Sequence, residues 1–273
     1  MIAKTQKELA FLHDLYIAPD WGERFAELVD EHVKPPREGR ALYVAATTGG
    51  HAMAFQERAG YKLELLCVDE NAECIELARA KASALHEKSI FQREGPDALS
   101  FRDNQFDLVL GNFSFRQPVN VRSMLAELVR VAKPGATVAW WLPTASSFGE
   151  FFSIYWEALH NAGSNDLGLE VEHLITDLPT VSGAENWAED AGLEKIDSWT
   201  AIEEFDFESG EQFLSAPLVS DFLLPNWLAL LPEAGQTRVI EELSKIIDEE
   251  RHRGEFSLTL KATLIVGKKA RVQ

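Results

Sequence analysis

The stretch Ala41-Leu42-Tyr43-Val44-Ala45-Ala46-Thr47-Thr48-Gly49-Gly50-His51 joins an apolar run to a loop of small residues carrying two adjacent glycines. Such a run, bounded by turn residues, predicts a buried strand at Ala41–Ala46 and a tight turn after it. A helix follows from Met53 and ends at Gly60, the residue type that best tolerates a left-handed stop. The unit then repeats. Leu63–Val68 predicts a second strand and Asn71–His86 a helix with Ile75, Leu77, Ala78 and Ala82 on its inner side. Ser89–Gln92 predicts a short third strand, Phe106–Leu110 a fourth, Val121–Ala132 a helix ended by Lys133-Pro134-Gly135, and Ala136–Leu142 a fifth strand. Parallel neighbours require a crossover helix, so this alternation predicts an α/β fold with a doubly wound, mostly parallel sheet.

Upstream, residues 5–34 read as helix, with Leu9, Leu12, Leu15 and Tyr16 at helical spacing and Trp21, Phe25, Leu28 and Val29 resuming after a break at Pro19-Asp20. Downstream of Leu142 the rhythm changes to a helix at Glu150–Asn161, an irregular acidic stretch to residue 180, and a short helix at Glu185–Ala191. A sixth strand at Ile196–Phe205, largely helical residues 209–251 and a long strand at Phe256–Val266 complete the chain. The last strand is expected to return to the sheet as its seventh, antiparallel member. This predicts one domain over residues 1–273: a helical segment 1–38, a first half 39–142, and a second half 143–273 carrying helical insertions.

Composition narrows the function. With 26 basic against 44 acidic side chains the net charge is −18. Broad contact with nucleic acid or with an anionic membrane is disfavoured, because both rest on Lys and Arg. The basic cluster Lys268, Lys269, Arg271 reads as a solvated tail. Two cysteines, Cys67 and Cys74, make neither a disulfide scaffold nor a zinc site, and no metal cluster is expected. Met1-Ile2-Ala3-Lys4-Thr5 lacks the apolar core of a signal peptide, and Asp221, Pro225 and Asn226 interrupt the most apolar stretch. A cytoplasmic protein is expected; its oligomeric state is not legible.

Open α/β sheets bind ligands beyond the carboxyl ends of their strands. There the first strand offers Ala45-Ala46-Thr47-Thr48-Gly49-Gly50-His51 and the second offers Asp69-Glu70-Asn71. Asp69 suits either a ribose, whose two hydroxyls a carboxylate can accept, or the N-cap of the next helix. Over residues 40–142 the chain resembles the class I S-adenosylmethionine-dependent methyltransferases, particularly the ubiquinone- and biotin-pathway group. The resemblance is carried by Leu42–Gly49, by Leu66–Asn71, by Leu99-Ser100-Phe101-Arg102-Asp103-Asn104-Gln105-Phe106-Asp107-Leu108-Val109, and by Arg130-Val131-Ala132-Lys133-Pro134-Gly135-Ala136. The last two are the most specific. The resemblance implies a seven-stranded Rossmann-like sheet, S-adenosylmethionine as cofactor, residues 39–142 as the cofactor half and residues 143–273 as a substrate half with a helical cap. Tyr43, Ala45, Thr47, Gly49, Asp69, Glu70, Asp97 and Asn112 are the cofactor-side candidates it implies.

The sequence also departs from the family. Tyr43 stands where the family has an acid, and Ala45 and Thr47 stand where it has glycines. Gly95 and Pro96 replace an Asp and a small residue beside the adenine, leaving Glu94 or Asp97 as substitutes. A nicotinamide-binding Rossmann protein is a second reading, but its glycine pattern fails at Ala45 and Thr47. A third is a methyltransferase-like domain turned to binding or scaffolding. His51 reads as a helix-end residue or a base, and His13, Tyr16 and Trp21 as helix packing. Aromatic residues crowd the insertions, which suits a small or carrier-linked, partly apolar acceptor, with Trp156 or Trp227 lining its pocket or belonging to the core. Methyl transfer needs mainly alignment, so a dedicated catalytic residue is not required.

Overall fold

The computed structural model describes residues 4–164, 168–250 and 256–271; the expectations at Met1–Ala3, in part of the acidic stretch and at Arg251 lie outside them. Seven strands form one sheet: β1 Gly39–Val44, β2 Leu63–Asp69, β3 Ile90–Arg93, β4 Phe106–Asn112, β5 Ala132–Pro143, β6 Leu193–Phe207 and β7 Phe256–Lys269, in the order β3-β2-β1-β4-β5-β7-β6. The pairs β1/β2, β1/β4, β2/β3 and β4/β5 are parallel. On β7, Lys268 meets Thr137 while Lys261 meets Thr144, so the numbers fall on one strand as they rise on the other. The seventh strand is antiparallel to β5, as expected.

The helices are α1 Gln6–Leu12, α2 Glu23–His32, α3 Gly50–Ala59, α4 Ala72–Leu85, α5 Pro118–Val131, α6 Gly149–Asn161, α7 Gly168–Thr176, α8 Val181–Asp190, α9 Gly210–Ser215, α10 Leu224–Trp227 and α11 Glu233–Glu250, with π-helical turns at His13–Gly22 and Leu218–Leu223. The chain divides into two compact units, residues 1–142, 181–201 and 262–273, and residues 143–180 and 202–261.

The first unit packs α5 on the sheet: Val121, Leu125, Leu128 and Val131 are buried at helical spacing against Val109, Val138 and Trp140. Period-2 alternation on β5 turns Trp140 to this face, 5.9 Å from the Phe113 ring, and Trp141 to the other, 5.6 Å from Tyr43. The second unit is built on aromatic packing. Phe151 stacks on Trp227 at 4.1 Å, Phe148 and Phe213 close around them, and the Tyr155 hydroxyl donates to the Trp227 carbonyl at 3.0 Å.

Three local expectations are corrected. Pro19 does not break the N-terminal helix: the segment widens to a π-helix around it, loosening the ladder where proline has no N–H to give. Lys133-Pro134-Gly135 does not precede β5 but lies within it. Between the pairs Phe106–Ala132 and Leu108–Thr137 the chain advances two residues on β4 and five on β5, a bulge that absorbs the proline. Nor is the basic cluster wholly a solvated tail: Lys268 and Arg271 are exposed, but Lys269 is not. Lys269 Nζ donates to Asn104 Oδ1 and to the Arg130 and Ala132 carbonyls at 2.9, 3.1 and 2.9 Å.

Candidate functional site

Strand order reverses between β1 and β4, whose carboxyl ends point to one place. A cavity of about 330 Å³ opens there. Its wall includes Tyr43 near the end of β1 with Ala46 and Thr47 after it, Asn112 at the end of β4 with Ser114 and Phe115 after it, and Trp141 on β5. The N-terminal segment adds His13, Asp14 and Trp21, and the helices add His51 and Lys81. Phe115 stacks on Trp21 at 5.0 Å.

The loop after β1 keeps the backbone of a glycine-rich turn with little glycine. Ala45, Thr47 and Gly49 have φ of 55°, 51° and 75°. Left-handed backbone is uncommon for Ala and costly for β-branched Thr, so these residues are held rather than relaxed. At Gly49 glycine is compulsory, since a Cβ would lie 2.6 Å from the Phe91 ring. Asp69 does the holding. Its Oδ2 accepts the Thr47 N–H at 3.0 Å and its Oδ1 the Asn71 N–H at 2.9 Å. Asp69 is 4% exposed. Burial raises its pKa, and the Asn71 and Thr47 N–H groups and the Arg116 charge pull it only part of the way back. The N-cap of α4 is Asn71, not Asp69: Asn71 Oδ1 accepts from the Glu73 and Cys74 N–H groups.

Beside the loop runs a chain of three side chains. Tyr43 Oη lies 2.9 Å from His51 Nδ1, and His51 Nε2 lies 2.8 Å from Asp30 Oδ1, which also accepts from Arg58. A carboxylate only accepts, so Nε2 carries hydrogen. In that tautomer Nδ1 is the lone-pair nitrogen, and the phenol donates to it. Burial pushes the Tyr43 pKa well above its ordinary range, reinforced by Cys67 and Asp30, so the phenol keeps its proton.

Of the cofactor-side candidates, Tyr43, Thr47 and Asn112 line the cavity; Ala45 and Gly49 lie in the same loop, with Ala46 and Gly50 facing in. Asp69 sits beneath the loop. Glu70 is ion-paired with Arg116. Asp97 is exposed, and Glu94 accepts from the Ser100 N–H at 2.9 Å. Asn112 Oδ1 accepts the Ser114 N–H at 3.1 Å. Trp156 and Trp227 belong to the second unit, the first 42% and the second 6% exposed. Sequence reasoning did not single out Asp30, Trp141 or Lys81. Trp141 had a signal in the strand-end position of a Trp-Trp pair; Asp30 had none, being 21 residues from its partner His51.

The two most specific motifs meet at the opposite, amino ends of β4 and β5. Lys133 Nζ donates to both Asp107 oxygens at 2.8 Å, and the Arg40 N–H to Oδ2 at 3.0 Å. Burial works against the Asp107 carboxylate, but Lys133 and Arg40 outweigh it and hold the pKa below the ordinary range. Arg130 donates to the Leu99 and Phe101 carbonyls, to Asp103 and to Glu127, whose Oε2 accepts the Leu99 N–H.

Residues 41–135 match the family model described as a methyltransferase domain. Over that stretch the chain is similar to methyltransferases. It is 32% identical over 146 residues to a demethylmenaquinone methyltransferase of Deinococcus radiodurans, covering 52% of this chain and 59% of that one. It is 35% identical over 103 residues to the ubiquinone/menaquinone biosynthesis C-methyltransferase UbiE of Burkholderia mallei, covering 37% and 41%. The chain thus matches only about half the length of these curated relatives. The crystal structure of the YcgJ protein of Bacillus subtilis shares the fold, with a TM-score of 0.60 at 18% identity, covering 92% of this chain and all of that one. Among the described residues no helix is long and apolar enough to cross a membrane, and no three His, Cys, Asp or Glu side chains gather as metal ligands would.

Proposed function

We propose that this chain is an S-adenosylmethionine-dependent methyltransferase acting on a small or carrier-linked, partly apolar acceptor. The observation that carries the reading is the left-handed backbone at Ala45, Thr47 and Gly49, kept against the preference of two of those residues beside a cavity at the strand-order reversal. A loop under no demand to approach a ligand closely gains nothing from that conformation. In this reading the Ala45–Gly49 backbone holds the methionyl end. Asp69 and Glu70 serve the ribose side, Asp97 the adenine side, and Asn112 borders the acceptor.

The bound cofactor supplies an electrophilic methyl group on a positively charged sulfur. What the chain contributes is alignment and a dry, aromatic wall, here Trp21, Phe115 and Trp141. The relatives named for demethylmenaquinone and for ubiquinone/menaquinone biosynthesis support a small acceptor. On the acceptor side the reading carries Trp156 and Trp227, of which Trp156 is the more exposed.

Titration calorimetry with S-adenosylhomocysteine, the demethylated product, tests this. Wild type is expected to bind in the micromolar range and Asp69→Ala, which frees the Thr47 N–H and the loop, to lose at least about tenfold. No heat from the wild type at high micromolar ligand would overturn the proposal in favour of a binding or scaffold role.

A further inference from the structure

We propose that the Tyr43–His51–Asp30 chain stands in for the family's carboxylate at the end of β1, making the Tyr43 oxygen an acceptor for the α-ammonium group of the cofactor's methionyl end. The inference rests on the cofactor reading above and assigns residues that reading leaves without a role.

A phenol has one proton and two lone pairs, and which it shows to a ligand depends on where the proton goes. Here Asp30 fixes hydrogen on His51 Nε2, His51 therefore accepts at Nδ1, and the Tyr43 proton is committed to that nitrogen at 2.9 Å. Tyr43 is left with lone pairs at the cavity wall it lines. A chain of hydrogen bonds ending in a carboxylate polarises each member in turn, so negative character is passed from Asp30 toward the Tyr43 oxygen. The ring keeps the geometry, set edge-on to Trp141 at 5.6 Å and to His51 at 5.8 Å.

Charge around the cavity favours the same ligand group. Asp14 and Glu23 are among its lining residues, Lys81 is ion-paired with Asp14, and burial lowers the His13 pKa to about 4, leaving that ring neutral at neutral pH. A carboxylate meeting Tyr43 would find lone pairs and negative neighbours. An ammonium group finds an acceptor and a complementary field.

Two ligands separate this role from mere packing: S-adenosylhomocysteine, and its deaminated analogue with hydrogen in place of the α-ammonium. By calorimetry, Tyr43→Phe is expected to weaken the first by roughly tenfold or more and the second by less than about twofold. Asp30→Asn keeps an acceptor for His51 but removes the charge, and is expected to weaken the first alone by about threefold or more. It carries the test should Tyr43→Phe fail to fold. Equal losses with both ligands, or wild-type affinity of both variants for S-adenosylhomocysteine, would overturn the relay while leaving the cofactor reading intact. A wild type that binds neither ligand would overturn both.

Discussion

The two ends of the parallel strands obey different rules. At the amino ends of β4 and β5, charges are matched: Asp107 takes both Lys133 and the Arg40 N–H, and Arg130 ties residues 99–103 to α5. At the carboxyl ends the backbone is held in costly conformations at Ala45 and Thr47, Asp69 is buried above its ordinary pKa, and the Tyr43 phenol is buried. One end is built for stability. The other gives up stability to shape a cavity, as functional sites commonly do.

Breaking the amino-end network is expected to have the largest effect. Arg130→Met keeps the stem but takes the donor from the Leu99 and Phe101 carbonyls and leaves Glu127 with the Leu99 N–H alone of these bonds. It is expected to cost about 2–4 kcal/mol, a loss denaturant titration measures directly. A change below about 0.5 kcal/mol would mean that the network is solvated and that the contrast between the two ends is false.

His13 gives the cavity side its own pH signature. Its folded-state pKa is lowered from 6.5 to about 4 by burial, with a smaller raising effect of Asp14 and a lowering one of Lys81. Between those values the unfolded chain binds more protons than the folded one, so stability falls as pH drops from about 6.5 to about 4. The full loss is on the order of 3 kcal/mol. His13→Gln is expected to lose less stability than wild type over that window in parallel melts at pH 7 and pH 4.5. Equal losses would show that the ring is hydrated.

Thr47→Gly is the smallest effect and the most pointed. Relief of left-handed strain, of about 1–2 kcal/mol, outweighs the extra freedom of glycine in the unfolded chain. A gain of roughly 0.5–1 kcal/mol in thermal melts is therefore expected, with the Thr47 N–H bond to Asp69 retained. A loss would mean that the Thr side chain contributes more than its backbone costs.

The same contrast explains what could be read in the chain. Apolar runs and helical spacing marked all seven strands, because burial imposes period on sequence. The Phe106-Asp107 and Lys133-Pro134-Gly135 motifs were the strongest marks of family, and they lie in the stabilising network rather than at the cavity. Pro19 misled, since a wider helical turn accommodates a missing N–H that an α-helix resists. Tyr43 was visible as a departure, but its role was not. The direction of its proton depends on Asp30, which only tertiary folding brings to His51. At Ala45 and Thr47 side-chain preference pointed away from the conformation adopted, because the bonds from Asp69 act across sequence.

The most direct measurement is calorimetry of Arg130→Met and Tyr43→Phe side by side with S-adenosylhomocysteine, under conditions where both are folded. If the strand ends are divided between stability and binding, the Arg130 variant keeps wild-type affinity within about twofold while the Tyr43 variant loses roughly tenfold or more. An affinity loss in Arg130→Met as large as that in Tyr43→Phe would contradict the division.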